Sequence, residues 1–243
     1  MLTKDTAICI RTTDYSETSQ VVTLFARAAG KIDAIAKGSK RGKSAFGGPL
    51  ELFSSGGMVF SDSGKDRLAT LTEFVPQADM SGLTSNQFSL NCAYLAIELV
   101  NSLTQSFDPH PELFDGLSDF LRNIQDAQKD SDRLILLILF QLTLLKEVGL
   151  QPVLQSCVNC KSKFSVHWSS CHFSSSANGV VCMDCEGNYP DKLKLSKEAA
   201  NALSNFRLLF ESGDKIGFEI EKILLKHFTE TIGRPLKMAK YIV

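Results

Sequence analysis

Residues 21–37 read VVTLFARAAGKIDAIAK, two β-forming runs on either side of Gly30. The first run is rich in β-branched and aromatic residues, a composition typical of strands. In the second run the apolar residues Ile32, Ala34 and Ala36 alternate with a mostly charged set, Lys31, Asp33, Ile35 and Lys37. An alternation with a period of two predicts a strand with one buried face. The segment therefore predicts two neighbouring strands joined by a turn at Gly30.

Three more runs of this kind lie nearby, at residues 7–10, 52–60 and 68–75, with glycine-rich breaks between them. Roughly five short strands separated by turn signals are typical of a small β-barrel or a sandwich. We therefore expect a β domain over residues 1–80.

After Pro76 the apolar residues recur with a helical period, which predicts a helical domain over residues 81–243. Capping and charge patterns give five helices, near 90–103, over 112–127, from a Ser131 cap to 148, after a Ser196 cap, and over 218–232 with Glu219 and Glu221 in its first turn. A polar, cysteine-containing insert separates the third helix from the fourth, at about 154–189. The expected fold class is therefore α+β.

Composition limits the possible functions. The formal net charge is −1, with 26 basic and 27 acidic residues, which argues against a polycation of the histone kind. A local basic strip is nevertheless enough for phosphate contacts. The most apolar run, residues 134–140, falls short of the about 20 residues that a bilayer span needs, so it predicts a buried helix. No secretory leader is visible at the amino terminus, and we expect a cytoplasmic, nucleoid-associated protein.

The strongest local signal is a set of two Cys-x-x-Cys pairs, Cys157 with Cys160 and Cys182 with Cys185. Four thiolates in two such pairs complete a tetrahedral shell around zinc and leave no position open for water or substrate. This pattern predicts one structural zinc ion. Alternative ligands within the insert are His167, Cys171 and His172, and the competing interpretation of the pairs is a set of free or buried cysteines.

The second signal is a glycine-rich basic loop without an acidic residue. Its cations are Lys37, Lys40, Arg41 and Lys43, and Phe46 follows them. Cations of this kind contact a phosphate backbone, and an aromatic ring stacks on a base. The alternatives are a solvated loop and a Phe46 that anchors the loop in the core. A weaker basic group lies near the carboxy terminus and either extends the DNA-binding surface or complements a helix end. Its members are Lys226, His227, Arg234, Lys237 and Lys240.

Catalytic motifs are not apparent. Gly42-Lys43-Ser44 resembles the end of a phosphate-binding P-loop, but Lys37 stands where that motif needs its first glycine. The segment also continues into Gly47-Gly48-Pro49 and not into a helix, so the helix N-terminus that would hold phosphates is missing. We expect no enzymatic activity and no catalytic residues. A zinc hydrolase is disfavoured because the four thiols form a closed ligand set.

Several segments, taken in order, resemble the RecO recombination-mediator family. They are DYSET (14–18), VTLF (22–25), GKI (30–32), AKG (36–38), KSAFGG (43–48), LTE (71–73), GLQP (149–152), GVVC (179–182) and IGRPL (232–236). The resemblance covers nearly the whole chain.

The resemblance implies an amino-terminal OB-fold, a helical carboxy-terminal domain and a zinc module inserted in it. It also implies binding of single- and double-stranded DNA and annealing of complementary strands. The implied partners are RecR and the acidic tail of single-stranded-DNA-binding protein. RecA is an indirect partner, because the family helps to load it onto single strands that are coated by single-stranded-DNA-binding protein. The family's basic loop falls on Lys37, Lys40, Arg41 and Lys43, although Ala45 stands where many members are basic. The alternative function is a protein-interaction scaffold with incidental DNA contact.

Overall fold

The computed structural model describes residues 2–42, 44–62, 64, 68–78, 80–211 and 214–243. The chain forms two compact units. The first consists of Met1–Asn86 and Val100–Gln125, and the second of Gln87–Leu99 and Asp126–Val243.

Five strands close into a barrel in the first unit. They are β1 (Leu2–Asp14), β2 (Gln20–Ala26), β3 (Gly30–Ala36), β4 (Ser55–Ser61) and β5 (Ala69–Ala78), in the spatial order β1-β2-β3-β5-β4. β3 and β5 pair in parallel, and the other neighbours pair antiparallel. The prediction of five strands is confirmed, and the barrel is the architecture of the OB-fold that the resemblance implies.

The predicted alternation in β3 is also confirmed. Ile32, Ala34 and Ala36 point into the barrel and are fully buried, whereas Asp33 is exposed. Gly30 begins β3 with a φ of +73°, a conformation that glycine adopts readily. A Cβ at this position would also lie 2.2 Å from the carbonyl oxygen of Asp108, so both the turn and the close approach require glycine.

β1 is longer than the predicted run at 7–10 because it serves two partners. Its first half pairs with β4, from Leu2 opposite Ser61 to Ile8 opposite Ser55. Its second half pairs with β2, from Ala7 opposite Ala26 to Asp14 opposite Gln20, with an irregularity between Cys9 and Arg11. Such a bulge bends a strand, which lets one strand serve two sides of a barrel.

β4 and β5 approach each other very closely at Gly56, which pairs with Pro76 next to a register shift. A Cβ added to Gly56 would lie 2.1 Å from the Val75 carbonyl oxygen, a backbone atom that cannot rotate away. At the neighbouring Gly57, a Cβ would meet the Gln77 side chain at 3.4 Å, which is ordinary contact. Gly56 therefore cannot accept a side chain without movement of the backbone, whereas the adjacent Gly57 can.

We expect Gly56→Ala to lower the free energy of unfolding by about 2–4 kcal/mol, because the strands must separate to accept the methyl group. Gly57→Ala is the matched control and should change it by less than about 1 kcal/mol. Urea unfolding followed by circular dichroism measures both variants. Equal midpoints for the two would contradict the observed register of β4 against β5.

The first unit also contains α2 (Pro111–Asp126) and the end of α1 (Gln87–Leu103). The Phe25 and Phe114 rings lie 6.2 Å apart, and Arg27 donates to both carboxylate oxygens of Asp115 at 2.9 and 2.8 Å. Lys31 Nζ donates to two carbonyl oxygens near the end of α1, those of Asn101 at 2.7 Å and Thr104 at 2.5 Å. The compact unit around the barrel thus extends past the predicted division at residue 80.

The second unit combines helices with a small sheet. Its elements are α3 (Asp130–Glu147), β6 (Cys171–Ser174), β7 (Gly179–Cys182), β8 (Leu193–Leu195), α4 (Lys197–Ser204) and α5 (Asp214–Ile232). The three strands lie in the order β7-β6-β8 and are antiparallel. Ser196 caps α4 as predicted, since its Oγ accepts a hydrogen bond from the Ala199 N–H at 3.1 Å.

Two predicted helix starts are wrong. α3 begins at Asp130 and not after Ser131, because the Asp130 carboxylate binds Arg133 one turn later at 2.8 Å. α5 begins at Asp214, so Glu219 and Glu221 are not in its first turn. Glu219 instead accepts hydrogen bonds from Ser196, and the buried Glu221 accepts one from Gln141 Nε2 at 2.8 Å. Burial raises the pKa of Glu221 to about 8.

Candidate nucleic-acid interface and metal centre

The basic loop directly follows β3 and is held by buried hydrogen bonds. Gly38 adopts a φ of +74° and turns the chain. Ser39 is fully buried, and its Oγ donates to Gln20 Oε1 at 2.9 Å. The same Gln20 amide accepts from the Leu50 N–H at 2.9 Å and donates to the Leu50 carbonyl oxygen at 3.1 Å. Gln20 therefore holds both ends of the loop. This role was not apparent from the sequence, because a glutamine at the start of a strand is usually exposed.

The loop presents its cations unequally. Lys37 and Arg41 are exposed. The Lys40 side chain is 28% exposed and forms an ion pair with Asp14 at 2.8 Å. Lys43 lies outside the described residues. Among the described loop cations, Lys37 and Arg41 thus point most freely to solvent.

A shallow concavity adjoins the loop and continues onto β5. It is lined by Lys37, Gly38, Arg41, Ser44, Ala45, Phe46, Thr70, Leu71 and Thr72. Its two exposed cations lie beside a lining that consists mostly of small and hydroxyl-bearing residues. Phe46 is only 6% exposed and belongs to the barrel core. This burial does not favour the predicted stacking role and agrees with the alternative of a core anchor.

The carboxy-terminal cations follow α5, which ends at Ile232 before Gly233 with a φ of +75°. Arg234 lies 3.8 Å from the Glu98 carboxylate, and Lys240 Nζ lies 4.8 Å from the centre of the Tyr241 ring. Lys237 is exposed, and its backbone N–H donates to Glu98 at 2.9 Å. These three cations follow the end of α5, whereas Lys226 lies within the helix and pairs with Glu230 at 3.6 Å.

The four predicted zinc ligands are brought together by two tight turns. The first turn carries Cys157 and Cys160, and the second carries Cys185 just after Cys182 ends β7. Val158 N–H donates to the Val180 carbonyl oxygen at 2.9 Å, which places the first turn beside β7. The four sulfur atoms all lie within 4.8 Å of one another.

This geometry fits a tetrahedral metal. Sulfur atoms bound to zinc at about 2.3 Å are separated by about 3.8 Å along the edge of the tetrahedron. The sulfur atoms of Cys160 and Cys182 lie 3.7 Å apart. Asn159 Nδ2 donates to the Cys185 sulfur at 3.3 Å, a hydrogen bond that orients a thiolate ligand.

The pKa values of these thiols are pulled in opposite directions. A hydrogen bond from Ser162 lowers the pKa of the exposed Cys160 to about 6. Burial raises the pKa of Cys182 to about 12. Four thiolates are thus stable together only when a bound cation compensates their charge.

The alternative ligands predicted within the insert do not join this group. Cys171 faces Cys182 across the β6–β7 pair, and burial raises its pKa to about 12. His172 Nδ1 lies 2.6 Å from a Glu186 carboxylate oxygen, and His167 is exposed in the preceding loop. Among the described residues, the metal-binding group consists of the four paired cysteines.

In the part of the chain that the structure describes, every helix is too short or too polar to span a membrane.

Comparison with known proteins matches both halves of the chain to one family. Residues 1–77 match the family model described as recombination protein O N terminal, and residues 86–239 match recombination protein O C terminal. The DNA repair protein RecO of Bacillus pumilus is 31% identical over 249 residues, covering 100% of this chain and 94% of the relative. The RecO protein of Alkaliphilus metalliredigens is 32% identical over 238 residues, covering 98% and 92%. That of Rhodopirellula baltica is 32% identical over 197 residues, covering 81% and 72%. The chain therefore belongs to the RecO family of DNA repair proteins.

Proposed function

We propose that this protein is a DNA-binding recombination mediator that holds single- and double-stranded DNA, anneals complementary strands and has no enzymatic activity. The observation that carries the proposal is the basic loop after β3. It presents Lys37 and Arg41 to solvent beside a concavity that runs onto β5. Residues 1–80 are the proposed DNA-binding domain.

The proposed mechanism is electrostatic. Lysine and arginine side chains displace the counterions of a phosphate backbone, and this release drives binding. Because the whole chain carries a net charge of only −1, the attraction must come from local clusters of cations and not from the overall charge. Neutralising two backbones also lowers the repulsion between complementary strands and leaves their base edges free to pair. Covalent chemistry is not needed for annealing.

Lys40 acts in this proposal as an anchor as well as a cation. Its ammonium group is shared with Asp14, so its attraction for phosphate is weaker than that of a free lysine. We assign the main phosphate contacts to Lys37 and Arg41 and a supporting one to Lys40. Four further phosphate contacts are proposed only because these residues are positively charged: Lys43, Arg234, Lys237 and Lys240.

We further propose one structural zinc ion, held by Cys157, Cys160, Cys182 and Cys185. The ion would tie the turn around Cys157 to the end of β7 and so fix the inserted module at 154–189. A closed set of four thiolates offers no site for substrate. Annealing therefore does not involve the metal.

A groove in the second unit supports the proposed protein partners. It is lined by Leu139, Leu142, Thr143, Lys146, Gln151, Pro152, Leu154 and Phe206. Its floor is apolar, Phe206 is 41% exposed and Lys146 supplies a positive charge. This combination suits the acidic tail of single-stranded-DNA-binding protein, which we propose as a partner together with RecR. RecA would be loaded indirectly, in the cytoplasm at the nucleoid. The groove is also the observation that favours the second candidate function, a scaffold with incidental DNA contact.

A salt titration of single-stranded DNA binding separates the two functions. The contacts of Lys37, Lys40 and Arg41 alone predict a slope of log affinity against log salt of about −2, since each contributes about 0.7 on a single strand, and any further contact makes the slope steeper. Strand annealing, measured with and without single-stranded-DNA-binding protein, completes the test. A nearly flat salt dependence without annealing would contradict the mediator function and support the scaffold.

A further inference from the structure

The turn between β1 and β2 carries an unusually exposed aromatic residue. Tyr15 is 67% exposed, the largest value among the large hydrophobic side chains that the structure describes. Its ring therefore contributes little to the packing of the barrel. The backbone beneath it is nevertheless well held, because the Tyr15 and Ser16 N–H groups both donate to the Ser19 carbonyl oxygen, at 3.0 and 3.2 Å.

This turn is joined to the basic loop by three contacts. Gly38 N–H donates to Ser19 Oγ at 3.1 Å, and Lys40 N–H donates to the Thr18 carbonyl oxygen at 3.1 Å. The third contact is the ion pair between Lys40 and Asp14 at 2.8 Å. Residues on both sides of Tyr15 are thus bonded to the segment that carries Lys37, Lys40 and Arg41. The turn that carries Tyr15 is therefore fastened directly to the basic loop.

The neighbouring strands extend this surface. Along β1 the outward positions Arg11 and Thr13 precede Tyr15 with the same alternation, and all three are exposed. Thr13 pairs with Val21, Val21 with Ile35, and Ile35 with Thr70. This row is partly exposed and uncharged, and it leads across the barrel from the turn to the concavity at Thr70. In proteins that bind single strands, a cationic groove tracks the phosphates and aromatic rings stack on the bases, so the row needs the ring of Tyr15 to complete such a site.

We propose that Tyr15 stacks on an unpaired base of the strand whose phosphates are bound by Lys37, Lys40 and Arg41. This inference rests on the proposed function and deepens it by assigning a preference for single strands. Bases within a duplex are already stacked on each other, so an external ring gains a stacking partner only on unpaired DNA. Tyr15 then supplies the aromatic contact that the buried Phe46 does not offer.

The test compares Tyr15→Ala, Tyr15→Phe and the wild-type full chain, with fluorescence anisotropy on a labelled single strand and on a duplex of equal length. We expect Tyr15→Ala to weaken single-strand binding by about tenfold, the loss of one base–aromatic stack. Duplex binding should change by less than about twofold, and the salt slope should stay the same, because no cation is removed. Tyr15→Phe should bind as the wild type does. The matched control is Phe210→Ala, which removes another aromatic side chain that is more than half exposed and should have no effect.

A strand with abasic sites gives a second readout. The wild type should bind the abasic strand more weakly than the intact strand. Tyr15→Ala should bind the two strands almost equally, because this variant has no ring to stack on a base. Unchanged single-strand binding by Tyr15→Ala would overturn the inference, and so would an equal loss on single strand and duplex. If the wild type itself fails to bind DNA, the proposed function fails. If it binds with a steep salt dependence and Tyr15→Ala is unaffected, the stacking inference fails by itself.

Discussion

Replacing Lys37 and Arg41 together by glutamate is expected to weaken single-stranded DNA binding by roughly 30-fold or more at low salt, through lost phosphate contacts and added repulsion. Both side chains are exposed, so the barrel core is not disturbed. Because two phosphate contacts disappear, the slope of log affinity against log salt should become shallower by about 1.4. Anisotropy titrations over a range of salt concentrations measure both quantities.

The control must carry the same change in net charge. Lys197 and Lys222 are exposed lysines of the second unit, and Lys197→Glu with Lys222→Glu shifts the net charge by the same amount. If attraction came from the overall charge, both double variants would lose affinity equally. We expect the control pair to bind within about threefold of the wild type, because neither lysine belongs to the basic loop and salt screens exposed charges. Equal affinities of all three proteins would contradict the assignment of the loop.

The second large effect concerns the metal. Cys157→Ser is expected to reduce bound zinc from one ion per chain to nearly none, because the buried Cys157 is one of the four proposed ligands and the shell would lose one of its thiolates. Structural zinc contributes about 10–16 kcal/mol of apparent binding free energy in zinc-finger peptides at neutral pH, so its loss should unfold residues 154–189 locally. Metal analysis of freshly purified, reduced protein measures the stoichiometry, and limited proteolysis locates the unfolded segment.

Cys171→Ser provides the matched control. Cys171 is also buried and faces Cys182 across two strands, yet it does not belong to the metal-binding group. We expect this variant to retain its zinc and its resistance to protease. Single-strand affinity should stay within about twofold of the wild type for both variants, since the phosphate contacts are elsewhere. A wild type without metal would contradict the proposed centre, and zinc retained by Cys157→Ser would contradict this ligand set.

Local sequence patterns predicted the structure correctly where the environment of a residue depends on its neighbours in sequence. The alternation of Ile32, Ala34 and Ala36 predicted the buried face of β3, and the cysteine spacing predicted which sulfur atoms lie together. Ser196 was recognisable as a cap because it stands directly before its helix. In each case the deciding interaction spans a few residues.

Long-range contacts explain what the sequence patterns missed. The first half of β1 is polar and becomes a strand because it pairs with β4. β5 continues through Pro76 because that residue meets a register shift at Gly56. Glu221 is acidic but buried, since it accepts a hydrogen bond from Gln141, 80 residues away in sequence. Local periodicity carries no information on such partners.

The same distinction applies to the candidate interface. The positive charge of the loop was apparent from its composition. That Lys40 is less available to phosphate than Lys37 and Arg41 depends on its ion pair with Asp14, 26 residues earlier in the sequence. Phe46 stood beside the cations in sequence but lies in the barrel core. Tyr15 stood far from them in sequence, and the hydrogen bonds of Ser19 and Thr18 to the loop bring it close.

Photo-crosslinking locates the bound strand directly. A single-stranded oligonucleotide with 5-iododeoxyuridine at several positions is irradiated with the wild-type full chain, and the adducts are mapped by mass spectrometry. We expect adducts at Tyr15 and within the peptide that carries Lys37 to Arg41. Adducts confined to the second unit, with none on the barrel, would contradict the assignment of the barrel and its basic loop as the DNA-binding surface.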